Sequence, residues 1–176
     1  PVLFESTFLQ VFLRDLGASS FLIGLIPTLM SAGTAVFSLS SYSLTVRLVR
    51  KRGAIIAAHV AAAAPVLAFG ALLGFAGTRP STLPLFLTAY SLFSIGVGLI
   101  IPAWQNYLVK IFSERRSIRA MAMMMIVQSA AKLTGSLGLV RMVERYSFST
   151  AGSSLVFTLV GLLFLGGSFW FLLTVE

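Results

Sequence analysis

The stretch Val46–Gly53, reading Val-Arg-Leu-Val-Arg-Lys-Arg-Gly, decides how this chain is arranged. It sets Arg47, Arg50, Lys51 and Arg52 between two long apolar runs. No Asp, Glu, Lys or Arg occurs from Leu16 to Val46, and none from Gly53 to Thr78. Each run exceeds the ~20 apolar residues that carry a helix across a bilayer. Short loops rich in Arg and Lys stay on the cytoplasmic side. The stretch therefore orients the second and third helices, and the order of the others follows.

Composition excludes the alternatives to a membrane protein. Of 176 residues, 57% are hydrophobic and 10% charged, and the mean hydropathy is +0.97; soluble domains carry about 25% charged residues. The net charge of +8 does not point to nucleic acid, because the cations sit in short turns and not on one water-facing surface. Positive-inside topology and attraction to anionic lipid headgroups account for them. With no cysteine, one histidine and five acidic residues, the chain offers no thiolate site. It also argues against a metal site or any bound cofactor.

The charges divide the chain into one all-α domain of six spans, at about 1–13, 20–44, 54–76, 84–109, 117–140 and 152–174. The first run is too short to cross, and Pro1 is not an initiator Met, so the first helix is expected to begin upstream. The run lacks the basic start and small-residue cleavage site of a signal peptide. Gly17-Ala18-Ser19-Ser20, Gly77-Thr78-Arg79-Pro80-Ser81 and Ser149-Thr150-Ala151-Gly152 have turn chemistry with hydroxyls available as helix N-caps.

Counting cations orients the bundle. Arg47, Arg50, Lys51, Arg52, Lys110, Arg115, Arg116 and Arg119 follow the second and fourth spans; Arg14, Arg79, Arg141 and Arg145 occupy the other turns. Eight against four places the first set in the cytoplasm of an inner or plasma membrane. Val46–Arg52 after the second span also echoes Val140–Tyr146 after the fifth. Such an echo suits a three-plus-three inverted repeat, although two basic turns can also look alike by chance.

This layout resembles the N-terminal half of a major facilitator superfamily transporter. The family carries Gly-x-x-x-Asp-Arg-x-Gly-Arg-Arg/Lys between helices two and three. Arg47 matches its Arg, and Arg50 and Lys51 match its basic pair. Val46 replaces the Asp, Val49 the second Gly, and Tyr42 or Ser43 stands near the first Gly. Leu92 stands where multidrug antiporters have an Arg, and span five lacks their Gly-Pro pair. The resemblance implies a secondary active transporter moving a small solute by alternating access, but not a standard multidrug antiporter. It also implies a partner C-terminal half of the same transporter. Helices one and four would line the cavity, two and five would meet that half, and three and six would face lipid. Span six, with Phe157, Phe164, Phe169 and Phe171, suits a lipid face. Gly24, Thr28, Ser31, Ala35 and Ser38 form a small stripe on span two that permits close helix packing.

Ionisable groups inside the apolar thickness cost roughly 2.5–3.5 kcal/mol at a helix centre on insertion scales. Glu5 and Lys132 are the two clear cases. Each lies nine residues before an arginine, Arg14 and Arg141, or about 13 Å below one surface at 1.5 Å per residue. They are expected to form an ion pair in or beside the cavity, with Glu5 exchanging a proton; a static brace between helices one and five is the alternative. Gln10 and Gln128 are candidates to hydrogen-bond substrate. Tyr90, Ser94, Gly98 and Gln105 share a stripe of span four that could line the cavity, and Pro102 is expected to kink that span. Trp104 reads as an interface anchor, His59 as a satisfied core histidine, and Met121 with Met123–Met125 as adaptable packing.

Arg47, Arg50, Lys51 and Arg52 would brace the closed cytoplasmic face, bonding helix C-terminal carbonyls or lipid phosphates, with Glu114 as the nearest available acid. The competing functions are a polytopic enzyme acting on lipid and a non-transporting scaffold subunit. Catalysis would need clustered carboxylates, His or a metal, which five scattered acids and one His do not supply. In the full-length protein, a cysteine replacing Arg50 should be labelled by an impermeant thiol reagent only from the cytoplasmic side, and one replacing Arg79 only from the opposite side.

Overall fold

The computed structural model describes residues 7–45, 51–112 and 114–173. Among these the chain is helical throughout: α1 (Thr7–Asp15), α2 (Ser20–Thr45), α3 (Arg52–Ala76), α4 (Thr82–Ile111), α5 (Glu114–Tyr146) and α6 (Thr150–Phe169), followed by a 3-10 turn, Trp170–Leu173. Five of the helices are long and apolar enough to cross a membrane, and α1 is the short one. The turns are made by the expected residues. Gly17 and Gly77 adopt positive φ (+81° and +67°), a region open to glycine at no steric cost. The Ser19 hydroxyl accepts from the Leu22 amide at 3.2 Å, and Ser149 caps α6 by accepting from Gly152 at 3.1 Å.

The fifth helix is longer than its apolar run. It does not stop at Arg141 but continues through Glu144 to Tyr146, because Arg and Glu are good helix formers. What ends it is Ser147 at φ 53° and the Ser149 cap.

The bundle is built on three long seams. α3 packs along α6 on one side and α4 on the other, and α4 packs along α2. The backbones approach closely at glycines in the seams. A Cβ added at Gly96 would lie 2.8 Å from the Ala62 Cα, and one at Gly98 would lie 2.8 Å from the Gly33 carbonyl oxygen. Hydroxyls then bridge the seams. Ser154 on α6 donates to the Gly70 carbonyl of α3 at 2.7 Å. Ser38 on α2 donates to Gly98 of α4 at 3.2 Å, and Ser41 on α2 donates to Leu99. In hydrocarbon such small-residue contacts and interhelical bonds supply the association that the hydrophobic effect supplies in water.

The small stripe expected to pack α2 mostly does not. Gly24, Thr28, Ser31 and Ala35 are exposed, and Ser38 is its one member in a seam contact. The packing face runs instead through Ile26, Met30, Gly33, Thr34, Ser38 and Ser41. Small size permits approach without selecting a face; the match of Gly33 to Ser94 and of Thr34 to Gly98 across the seam makes that selection.

At the end away from the basic loop, α1 is pinned by aromatic rings. Phe12 lies 5.2 Å from Phe157 of α6, and Phe69 of α3 lies 5.0 Å from Phe157 and 5.5 Å from Phe86 of α4, centroid to centroid. Most of these contacts are edge-to-face, the arrangement that the ring quadrupole favours. Phe8, Leu9, Phe12 and Leu13 are all buried, so the described part of α1 is held by packing.

Gly96→Ala should lower the thermal midpoint of the purified protein by the equivalent of about 1–3 kcal/mol, the cost of overpacking. Gly135→Ala, which meets nothing within 4 Å, should leave it unchanged or raise it slightly through helix propensity.

Candidate functional site

Several of the expected site residues are packing residues within this chain. Tyr90 is buried, with 1% of its surface exposed. Its hydroxyl donates to the Ile26 carbonyl at 3.2 Å, and its ring stacks on Phe86. The buried Ser94 donates to the Ser91 carbonyl at 2.8 Å and lies under Gly33. The Tyr90 hydroxyl thus bridges the α2–α4 seam, while that of Ser94 is spent within α4. By contrast Gln10, Gln105, Gln128 and Lys132 are exposed.

Glu5, Arg47 and Arg50 lie outside the described residues, as does the Glu114 side chain. Lys51 and Arg52 are half-buried, and α3 begins at Arg52. They therefore sit at the positive end of that helix dipole, which disfavours cations.

Three cavities border the loosely packed helices. The first, about 450 Å³, is lined by His59 of α3, Ile101 and Trp104 of α4, Met124 and Gln128 of α5, Phe164 of α6 and Phe171 of the terminal turn. It unites four helices that share no motif. His59 donates from Nδ1 to the Ile55 carbonyl at 2.8 Å. A carbonyl only accepts, so the ring's other nitrogen holds a lone pair in the neutral form. The ring lies 5.3 Å from Phe164 and 5.4 Å from Phe171. The wall is thus aromatic, with an imidazole acceptor, an indole donor and the Gln128 amide among its lining groups. That is the usual constitution of a small-molecule pocket.

The second cavity, about 400 Å³, separates α1 from α5 and is lined by residues including Thr7, Phe8, Ser136, Leu139, Val143 and Glu144. Lys132 is one turn before Ser136 on the α5 stripe that faces α1. From Lys132 to Tyr146 is fourteen residues of helix, about 21 Å at 1.5 Å per residue. Lys132 thus stands farther from the end of its helix than Arg141 alone suggests. The third cavity, about 370 Å³, lies between α1 and α2 and gathers Thr7, Gln10, Arg14 and Ser20. Among the described residues no group of three or more His, Asp or Glu side chains is placed to hold a metal.

The sequence matches the Major Facilitator Superfamily over residues 4–176. The chain belongs to that family. No curated protein and no solved structure matches it. Membership makes the chain a multi-pass integral membrane protein and, in general terms, a membrane transporter, in keeping with its five crossing helices.

For a major facilitator chain the distribution of burial is informative. None of the described side chains of α5 is buried, and few of α2 are, whereas α3, α4 and α6 are well packed. Yet α5 is not a lipid-type surface: Gln128, Ser129, Lys132, Thr134 and Ser136 are all exposed on it. Of the expected substrate contacts only Gln128 borders the cavity lined by His59 and Trp104. His59 and Trp104 join it there, read from sequence as a core residue and an interface anchor. Nothing in their spacing foretold this, because they lie on different helices and meet only through the α3–α4 seam.

The chain has no native cysteine. Placed singly in the full-length protein, Gln128→Cys should react with a small thiol reagent at least about tenfold faster than Ala63→Cys, since reactivity follows access and Ala63 is fully buried.

Proposed function

We propose that this chain is the N-terminal half of a secondary active transporter that moves a small solute by alternating access. The observation that carries the reading is the polar, unburied face of α5, with Gln128, Lys132 and Ser136, in a chain of this family. A helix turned wholly to lipid has no use for an exposed lysine in its middle, where charge is costly. The same groups suit a helix that borders a water-filled path or another protein surface. The uncovered small stripe Gly24, Thr28, Ser31 and Ala35 on α2 supports contact with a C-terminal half, because such stripes accept close helix packing. The two helices left open are those that the family resemblance assigns to that contact. The basic turns are on the cytoplasmic side of an inner or plasma membrane in this reading, where they also meet anionic headgroups.

Proton coupling rests on Glu5 and Lys132. A carboxylate in an apolar setting gains a proton more readily, and a nearby ammonium opposes that. Moving the ammonium during alternation would exchange the proton. An inverted three-plus-three repeat belongs to this reading on the echo of Val46–Arg52 in Val140–Tyr146.

The test is internal pH in proteoliposomes holding the full-length protein, with pooled small metabolites supplied under an imposed gradient. Solute-dependent proton flux is expected in the wild type and is expected to be lost in Glu5→Gln. Flux that persists in Glu5→Gln would remove the coupling role from Glu5 while leaving transport in place.

A further inference from the structure

Pro102 lies inside α4. It has no amide hydrogen, so the Gly98 carbonyl, four residues earlier, loses its backbone partner. In hydrocarbon an unpartnered carbonyl is not tolerated and must be satisfied by a neighbour. Here the neighbour is α2. The Ser38 hydroxyl donates to the Gly98 carbonyl at 3.2 Å, and the Ser41 hydroxyl, one turn on, donates to the next carbonyl, Leu99. The two backbones are in contact at this level: a Cβ on Gly98 would lie 3.0 Å from the Thr34 Cα. No larger residue at 98 would let the hydroxyl reach.

The packing changes character at the same point. The buried α4 side chains Phe86, Tyr90, Phe93 and Ile100 belong to the main core, whereas Ala103 and Tyr107 belong to a small separate cluster with Ile55 and the ring of Phe171. α4 is therefore one helix whose contacts change beyond Pro102: Ala103 and Tyr107 join the small cluster, while Trp104 still packs against the main core. The arm beyond the proline, residues 103–111, carries Trp104, which lines the cavity of about 450 Å³.

Serine in a helix ordinarily bonds a carbonyl of its own preceding turn. Ser43 does so with Ser40 and Ser94 with Ser91. Ser38 and Ser41 thus each have two acceptors within reach of a rotamer change, one on α4 and one on α2 itself. We propose that Pro102 with the hydroxyls of Ser38 and Ser41 forms a releasable clasp, about which the 103–111 arm of α4 pivots and moves Trp104 against the cavity. Ser38 and Ser41 are positioning residues in this arrangement: they act through the α4 backbone. The inference concerns this chain's own hinge and stands apart from any solute or coupling ion.

Amide hydrogen exchange on the full-length protein in lipid nanodiscs tests the clasp without a substrate. Ser38→Ala should speed exchange across 103–111 by about three- to tenfold, the range of one interhelical hydrogen bond in a membrane protein, with α6 unchanged. Pro102→Ala restores the amide that bonds Gly98 and should slow exchange there. In the Pro102→Ala background, Ser38→Ala should then have no further effect. An equal effect of Ser38→Ala in both backgrounds would overturn the clasp, since the serine would then be ordinary packing. No effect in the Pro102 background would overturn it as well. Should Ser38→Ala alone fail to fold while the double variant folds, the clasp stands; should both fail, the dependence on Pro102 is refuted.

Discussion

Every backbone carbonyl in the bilayer must find a donor, and the α2–α4 and α3–α6 seams are shaped by that requirement. Helices satisfy most carbonyls internally, but the proline inside α4 leaves Gly98 open. The repair is made from another helix, by hydroxyls that reach only because Gly98 and Gly33 bring the two backbones together. The α3–α6 seam uses the same parts at a carbonyl that no proline opens, with Ser154 donating to Gly70. Glycine and serine are therefore paired across seams: one makes the approach, the other supplies the bond.

Aromatic packing does the complementary work at the far end. Phe12, Phe69, Phe86 and Phe157 come from four helices and lock into one edge-to-face cluster. The bundle is consequently firm around α3, α4 and α6 and loose around α5. The cavities lie along this contrast in packing, two of the three bordered by α5. A transporter needs both properties, a body that holds its shape and a surface whose contacts can be exchanged. A major facilitator chain with an unburied polar α5 has both.

Much of the fold was legible in the sequence because hydrocarbon leaves few choices. The basic turn Val46–Gly53, the uncharged runs on either side and the Gly and Ser turns marked the helices to within a few residues. The one large discrepancy, α5 continuing past Arg141, arose because a charge near an interface does not end a helix that its residue types favour. The site was far less legible. Tyr90 and Ser94 have the residue types of a cavity wall, yet their hydroxyls are spent on backbone carbonyls. His59 and Trp104 look like a core residue and an anchor, yet they share a cavity with Gln128.

The sequence by itself determined that this chain crosses a membrane repeatedly, where it turns, and to which family it belongs. Those facts depend on hydropathy, charge and local turn chemistry, all written along the chain. Only the tertiary structure decided which face of each helix is covered. Helical periodicity offers several apolar or small faces on α2, and the Gly24 stripe was as suitable as the one through Gly33. Selection between them came from the surface presented by α4, a matter of two helices fitting one another, and no single stretch of sequence contains it.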